Sequence, residues 1–449
     1  MQVVSRALCV TLALAVAALG ACDDGSADTA TDRTATPATV DTPPATGASW
    51  STYGGSPSRA GVAHGAPAAP KLAKRFTRSV DGEVYAQPLI AGGRIYVATE
   101  NNTVYAFSTG GKLIWKRHLG TPVPGGDLPC GNIDPSGITG TPVIAHGRLY
   151  AVAFLRSGHN HVLFGLRLSN GRVAVRANVD PANRTVEQQR GALLATHGRI
   201  YVPYGGLFGD CGPFRGVVLS RTLGGGGRIA YVTPANEAGI WSPAGPSSQS
   251  GSLLVSTGNG NGGSVGDQNS VVRLSPRLHR LGFFAPRNWR ALSAGDVDLS
   301  SLTPLPVSRG RVLQAGKEGV AYLLPNSLGG VGGERYSARL CDSGAFGAAA
   351  FRAPLAIVPC GGSLYGVRIE SGRFRVVWSR DSGGLVPVIA GNSVFALTSD
   401  GTLYQLRSTD GRQIDSDQVG GGATSFPAAA AAGHLLVAPT GRGIAVFGL

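Results

Sequence analysis

Six cysteines are the residues in this 449-residue chain whose chemistry depends most on where the chain resides. Cys9 and Cys22 lie in an N-terminal segment that reads as a targeting signal, with Arg6 ahead of the apolar stretch "ALCVTLALAVAALGAC". Four remain: Cys130, Cys211, Cys341 and Cys360. An even number in an exported chain predicts two disulfides. Four cysteines allow three pairings. The preferred one joins Cys341 to Cys360, which are close in sequence, and Cys130 to Cys211, which lie in two long loops. Zinc is the rival use of four thiols, but no C-x-x-C spacing or neighbouring histidine set supports it. His159 and His161 in "GHNH" form a weak metal pattern that reads as a polar loop.

The apolar stretch is too short to cross a bilayer. It ends Leu19-Gly20-Ala21-Cys22, which resembles the bacterial lipobox. That resemblance implies cleavage after residue 21 and a diacylglycerol on the Cys22 thiol. The expected location is the outer face of the bacterial cell membrane, held by lipid. Residues 22–49 are rich in Thr, Ala, Pro and Asp without an apolar period. They read as a tether with a reach of roughly 30 Å.

The net charge is +14, but no run of Lys or Arg concentrates it. Basic residues recur singly, often where a strand begins, as at Arg94, Arg148, Arg199 and Arg311. This pattern reads as a solvated rim. Outside the cell it favours an acidic cell-wall polymer or an envelope protein as partner, and no nucleic acid. The chain is expected to be a monomer.

A repeat must position whatever chemistry the chain performs. "QPLIAGGRIYVAT" (Gln87 to Thr99) returns as "TPVIAHGRLYAVAF" (Thr141 to Phe154), and again from Val386 to Ile414. Pro88, Pro142 and Pro387 stand at matching places. Gly111, Gly171, Gly372 and Gly411 are each followed by Lys or Arg and then by a last apolar run. Each unit reads as four strands, rich in β-branched and aromatic residues and separated by Asn, Gly, Ser and Asp turns. Four-stranded units of this length predict propeller blades. Cores beginning near residues 86, 138, 190, 238, 299, 344, 384 and 424 give eight blades, with seven as the alternative.

The last unit, "SFPAAAAAGHLLVAPTGRGIAVFGL", stops after its third strand. "PKLAKRFTRSV" (Pro70 to Val80) is an outer strand without a blade. Pairing Leu72–Arg78 with Gly443–Gly448 would complete the last blade and leave no terminal edge. The fold expected for residues 50–449 is therefore all-β: an eight-bladed β-propeller of four-stranded antiparallel blades, closed by an N-terminal strand.

The units resemble the pyrroloquinoline quinone (PQQ) repeat family of β-propellers, and "WSTYGGSPSRAG" at Trp50 resembles its usual entry. The family includes both quinoprotein dehydrogenases and non-catalytic envelope scaffolds. "GIWSPAGPSSQSGSLLVSTGNGNG" resembles the dehydrogenase segment in which Trp supports the quinone and the Asn of a T-G-N turn binds calcium; these would be Trp241 and Asn259. "YGGLFGDCGPFRGVV" resembles the stretch supplying a carboxylate ligand, here Asp210 where the family has Glu. "SAGDVDLSS" falls where the catalytic Asp is expected, which implies Asp296 as base and calcium ligand, with Asp298 as the alternative. "QAGKEGVAYLLP" resembles the segment whose basic residue contacts the quinone oxygens, here Lys317.

Such a set would stack a flat cofactor on an aromatic ring. It would hold calcium on hard oxygens and use a carboxylate to take an alcohol proton. Three departures weigh the other way. The chain has no adjacent Cys-Cys pair and no C-x-x-C-H haem motif, and it has "EQQRGALL" where relatives offer Ser or Thr to the cofactor. The leading expectation is a lipid-anchored envelope protein that binds or scaffolds. The alternative is a PQQ- and calcium-dependent dehydrogenase acting on alcohols or sugars.

Overall fold

The computed structural model describes residues 48–67, 70–422 and 424–449. The stretches expected to be a targeting segment and a tether, with Cys22, lie outside the described residues but for residues 48 and 49.

The repeat folds as the turn chemistry dictates. In the first blade Leu89–Ala91, Arg94–Ala98, Thr103–Ser108 and Leu113–His118 form one antiparallel sheet. The tight turn before Arg94 places Gly92 and Gly93 at φ 57° and 70°; His146 and Gly147 do the same in the second blade. Two successive positive φ values suit a two-residue hairpin whose twist matches that of its strands. Seven further sheets follow, giving eight blades of four antiparallel strands, three of which carry a fifth strand at an edge. Their inner strands begin at Leu89, Val143, Leu194, Ser247, Leu305, Ala350, Val388 and Ala430.

Closure occurs as the unpaired segment predicts. Ala73–Ser79 lies antiparallel to Gly443–Gly448, with Ala73 opposite Gly448 and Ser79 opposite Gly443. The same strand also packs on the first blade. A side chain at Gly111 would meet the Phe76 ring at 2.8 Å. This matches contacts elsewhere in the ring, where Gly171 accommodates Trp115 and Gly411 accommodates Trp378. Trp115 and Trp378 each donate their indole N–H to a carbonyl of the following blade, Leu168 at 3.0 Å and Ser408 at 3.1 Å. In these three blades the glycine after the third strand is a socket for the neighbouring blade's outer aromatic residue, and Phe76 fills the socket at the seam.

The entry segment before that strand runs along the inner strands. Trp50 exchanges backbone hydrogen bonds with Ile90, and Ile144 donates to the Ser51 carbonyl. Val62–Ala63 pairs in parallel with Ile389 and Ala390 of the seventh blade. Arg59, fully buried, donates to the Pro246, Tyr53 and Leu193 carbonyls and to Thr52 Oγ1. One guanidinium therefore ties this segment to the third and fourth blades. Tyr53, held between Trp50 and Arg59, faces the axial cavity.

Both disulfides form with the preferred pairing, Cys130–Cys211 and Cys341–Cys360. The "GHNH" stretch departs from the polar-loop reading. His161 belongs to the strand Asn160–Arg167 and is buried, with its ring stacked on Phe154 at 4.1 Å and edge-on to Tyr204 at 5.3 Å. Burial, and then the Arg184 charge, hold its pKa down to about 3. The strand is buried on both faces from His161 to Leu166, so this imidazole lies in the core, where it packs as a neutral aromatic ring.

Candidate functional site

A cavity of about 730 Å³ lies on the propeller axis. Its residues come chiefly from two kinds of connection, those between second and third strands and those linking one blade to the next. In an up-and-down sheet these connections emerge at the same end, which gathers side chains distant in sequence. Asp210 lies between the second and third strands of the third blade, and Trp241 in the link to the fourth. Asn259 follows the second strand of the fourth blade. Asp296 and Asp298 follow the short helix Trp289–Ala294 in the next link. Lys317 stands at the hairpin between Val312–Ala315 and Val320–Leu324. All six line this one cavity.

The carboxylates are already paired. Lys317 Nζ lies 2.7 Å from Asp298 Oδ2 and 3.2 Å from Asp296 Oδ1. It also donates to the Asp296 carbonyl at 3.1 Å. Asp298 Oδ1 accepts the Asn259 backbone N–H at 2.8 Å. The fit depends on Gly258, because a Cβ there would lie 2.2 Å from Asp298 Oδ1. The Asn259 side chain donates to Asp296 Oδ1 at 2.5 Å, and its own oxygen accepts from Asn269 at 3.1 Å. Asp298 is the buried carboxylate and Asp296 the exposed one, with side-chain exposures of 11% and 73%. Desolvation pulls the Lys317 ammonium down, but Asp298 and Asp296 together outweigh it and hold its pKa above the ordinary lysine value. Burial, then the Asp298 charge, raises the Asp210 pKa.

Arg190 is a site residue the sequence reading did not single out, although it stands in the "EQQRGALL" stretch noted as a departure. Its guanidinium carbon lies 5.5 Å from the Trp241 ring centroid, and it donates to the Gly206 carbonyl at 2.9 Å. Burial lowers its pKa, while Asp210 and then Asp298 oppose the shift. Two more residues were missed, Glu237 and Tyr53. Tyr53 is buried, and its hydroxyl has no hydrogen-bond partner. Asp210, Glu237, Asp296 and Phe426 all line the cavity with positive φ, between 49° and 67°. The Cys130–Cys211 disulfide fastens the rim beside Asp210, and Phe208 on the same rim is 58% exposed.

The donor set decides how well a metal would fit. Among the described residues no group of three His, Cys, Asp or Glu side chains is placed to hold an ion. Asp298 has both oxygens engaged and the Asn259 oxygen takes an N–H. A lysine ammonium sits where the carboxylates converge. These residues do not fit calcium without displacement of Lys317.

Residues 73–258 match the family model described as outer membrane protein assembly factor BamB, a PQQ-repeat model. No curated protein matches the chain. Among solved structures, quinohemoprotein alcohol dehydrogenase from Comamonas testosteroni is similar at 15% identity and a TM-score of 0.69, over 89% of this chain and 80% of that one. A europium-containing methanol dehydrogenase gives 13% identity and a TM-score of 0.71, over 90% and 98%. BamB from Moraxella catarrhalis gives 14% and 0.60, over 84% and 100%. Identities this low carry the fold alone. Residues 73–258 thus carry the PQQ repeat, and the chain is an eight-bladed β-propeller closed by an N-terminal strand, a fold similar to that of the two dehydrogenases and of BamB.

Proposed function

We propose that this chain is an extracytoplasmic binding protein, held to the membrane through Cys22, whose axial cavity takes a small ligand. The observation that carries this reading is the Lys317 ammonium set between Asp296 and Asp298. It engages the carboxylates that would otherwise serve a metal and a proton transfer, and it leaves a large aromatic cavity beside them. Pockets of this volume with a few convergent polar groups are ordinary small-ligand sites. The rim loops offer a surface for an envelope protein or an acidic polymer, as the positive charge of the chain suggests.

A dehydrogenase reading has one specific observation in its favour. Asp210, Trp241, Asn259, Asp296 and Lys317 all meet in one cavity. Were a quinone bound, Trp241 would be its stacking surface and Asp296 the carboxylate nearest solvent to accept a proton. Arg190 over the Trp241 ring and the engaged oxygens weigh against it.

Titration of the purified chain with calcium and PQQ, followed by dye reduction with alcohols and with glucose, separates the two readings. The binding-protein reading expects no turnover. Dye reduction that is lost in Asp296→Asn would replace it with the dehydrogenase.

A further inference from the structure

The cavity has the opposite charge balance to the chain. Overall the chain carries +14. Around the cavity stand four carboxylates, Asp210, Glu237, Asp296 and Asp298, and two cations, Arg190 and Lys317. Lys317 is taken up by Asp298 and Asp296. With Asp210 set against Arg190, negative charge still remains in excess. A ligand bearing carboxylates would meet net repulsion there, and a cation would meet attraction that low-dielectric walls strengthen.

The uncharged part of the wall points the same way. Aromatic faces attract cations through their quadrupole. The chain's own Arg190 already lies over Trp241 in this manner, at 5.5 Å. A second, independent feature is Tyr53, 3% exposed, whose hydroxyl has no partner although the residue lines the cavity. A buried phenol without a partner is costly, and an N–H from a ligand would fill the acceptor side of that hydroxyl.

We infer that the axial cavity binds a small organic cation, an alkylammonium or a short diamine, with Asp296 and Glu237 supplying the counter-charge and Tyr53 accepting an N–H. This rests on the cavity being a ligand site, as proposed above. An ammonium head would sit among carboxylates as the Lys317 ammonium already does. A second ammonium, in a diamine, would answer the remaining charge.

The test is calorimetric titration of the full exported chain with putrescine and with choline, with glucose and acetate as controls. Saturable binding of both cations, weakened by salt, is expected. Asp296→Asn and Glu237→Gln should each weaken it about 5- to 10-fold, with thermal melting monitored to show that the fold is kept. Tyr53→Phe should weaken putrescine, whose ammonium N–H groups the phenol oxygen would accept. If glucose or acetate binds and neither cation does, the cavity remains a ligand site but the inference is wrong. If none of the four binds, both readings fall. Cation binding that survives Asp296→Asn combined with Glu237→Gln also overturns the inference.

Discussion

Lys317 Nζ stands 2.7 Å from Asp298 Oδ2, with the carboxylate largely buried and the ammonium about a quarter exposed. This pair fixes the electrostatics of the cavity. The lysine acts as an internal counter-ion for two acids and leaves a metal no free place between them. Lys317→Ala removes that ion and keeps Asp296, Asp298 and Asn259. The variant should gain affinity for a hard cation by about tenfold or more over the parent. Terbium titration would read this as emission sensitised by Trp241 in the same cavity. The variant should also lose about 1–3 kcal/mol of stability, because Asp298 keeps only its backbone partner. Parent protein that already binds terbium tightly would show that Lys317 does not guard the site.

Arg59 gives a second prediction, on the entry segment. Its guanidinium serves four acceptors drawn from three separate stretches of chain. Arg59→Met keeps much of the volume and leaves the Pro246, Leu193 and Tyr53 carbonyls and Thr52 Oγ1 without this donor. The expected cost is about 3 kcal/mol, read as a lower denaturant midpoint. Arg59→Lys should recover little of it, since a single ammonium cannot reproduce the planar fork. Because Tyr53 is bonded to Arg59 through its carbonyl, ligand affinity of the cavity should fall with either variant.

The ring itself was legible because blade turns announce themselves locally. Paired positive φ values at Gly92–Gly93 and His146–Gly147 need the residues that the repeat displays. The pairing of Ala73–Ser79 with Gly443–Gly448 followed from a missing strand and a surplus one. The cavity was legible only in part. Asp296 and Asp298 are two residues apart, and sequence alone could not say which is buried; that depends on the contact between Asp298 and Gly258. Arg190 was missed because its partner surface, Trp241, lies 51 positions along the chain in another link. Tyr53 became part of the cavity wall only through the path of the entry segment across several blades. His161 was misread because its polar neighbours hid a strand that is covered on both faces by its own and adjacent blades. In each case the deciding contact is between blades, where local pattern carries no signal.

Glu100 makes stability depend on pH. It is buried, its Oε2 accepts the Gly137 N–H at 2.5 Å, and its Oε1 has no partner. Burial, opposed by hydrogen bonds from Gly137 and Thr139, pushes its pKa up to about 8 from an ordinary 4.5. The folded state thus holds a proton that the unfolded state has released between those values. Stability from this group is therefore fully present below about pH 4.5 and is lost as pH rises through 8. His161 has the opposite slope at lower pH, since its folded pKa is depressed. The window in which Glu100 dominates this pair is therefore pH 6.5 to 8. Urea unfolding across that window should show parent stability falling with pH by one or two kcal/mol, and Glu100→Gln should flatten the slope. An unchanged slope in the variant would assign the titration to another group.

The Cys130–Cys211 bridge supplies the last prediction because it acts on stability and on the site together. It spans 81 residues of sequence and joins the loop holding Asn132 and Ile133 to the loop holding Phe208, Gly209 and Asp210, all of which line the cavity. In the chain-entropy picture a closed loop of that size contributes about 4 kcal/mol. The double variant Cys130→Ser with Cys211→Ser should lower the unfolding free energy by up to that amount. It should weaken cavity ligands more than the variant Cys341→Ser with Cys360→Ser, whose bridge spans only 19 residues between the fifth and sixth blades. The rim loops are free to move apart once unbridged, so the cost of ordering them falls on ligand binding. Equal losses of affinity in the two double variants would mean that the rim is held by its other contacts, and that Asp210 owes its place to the blade and not to the bridge.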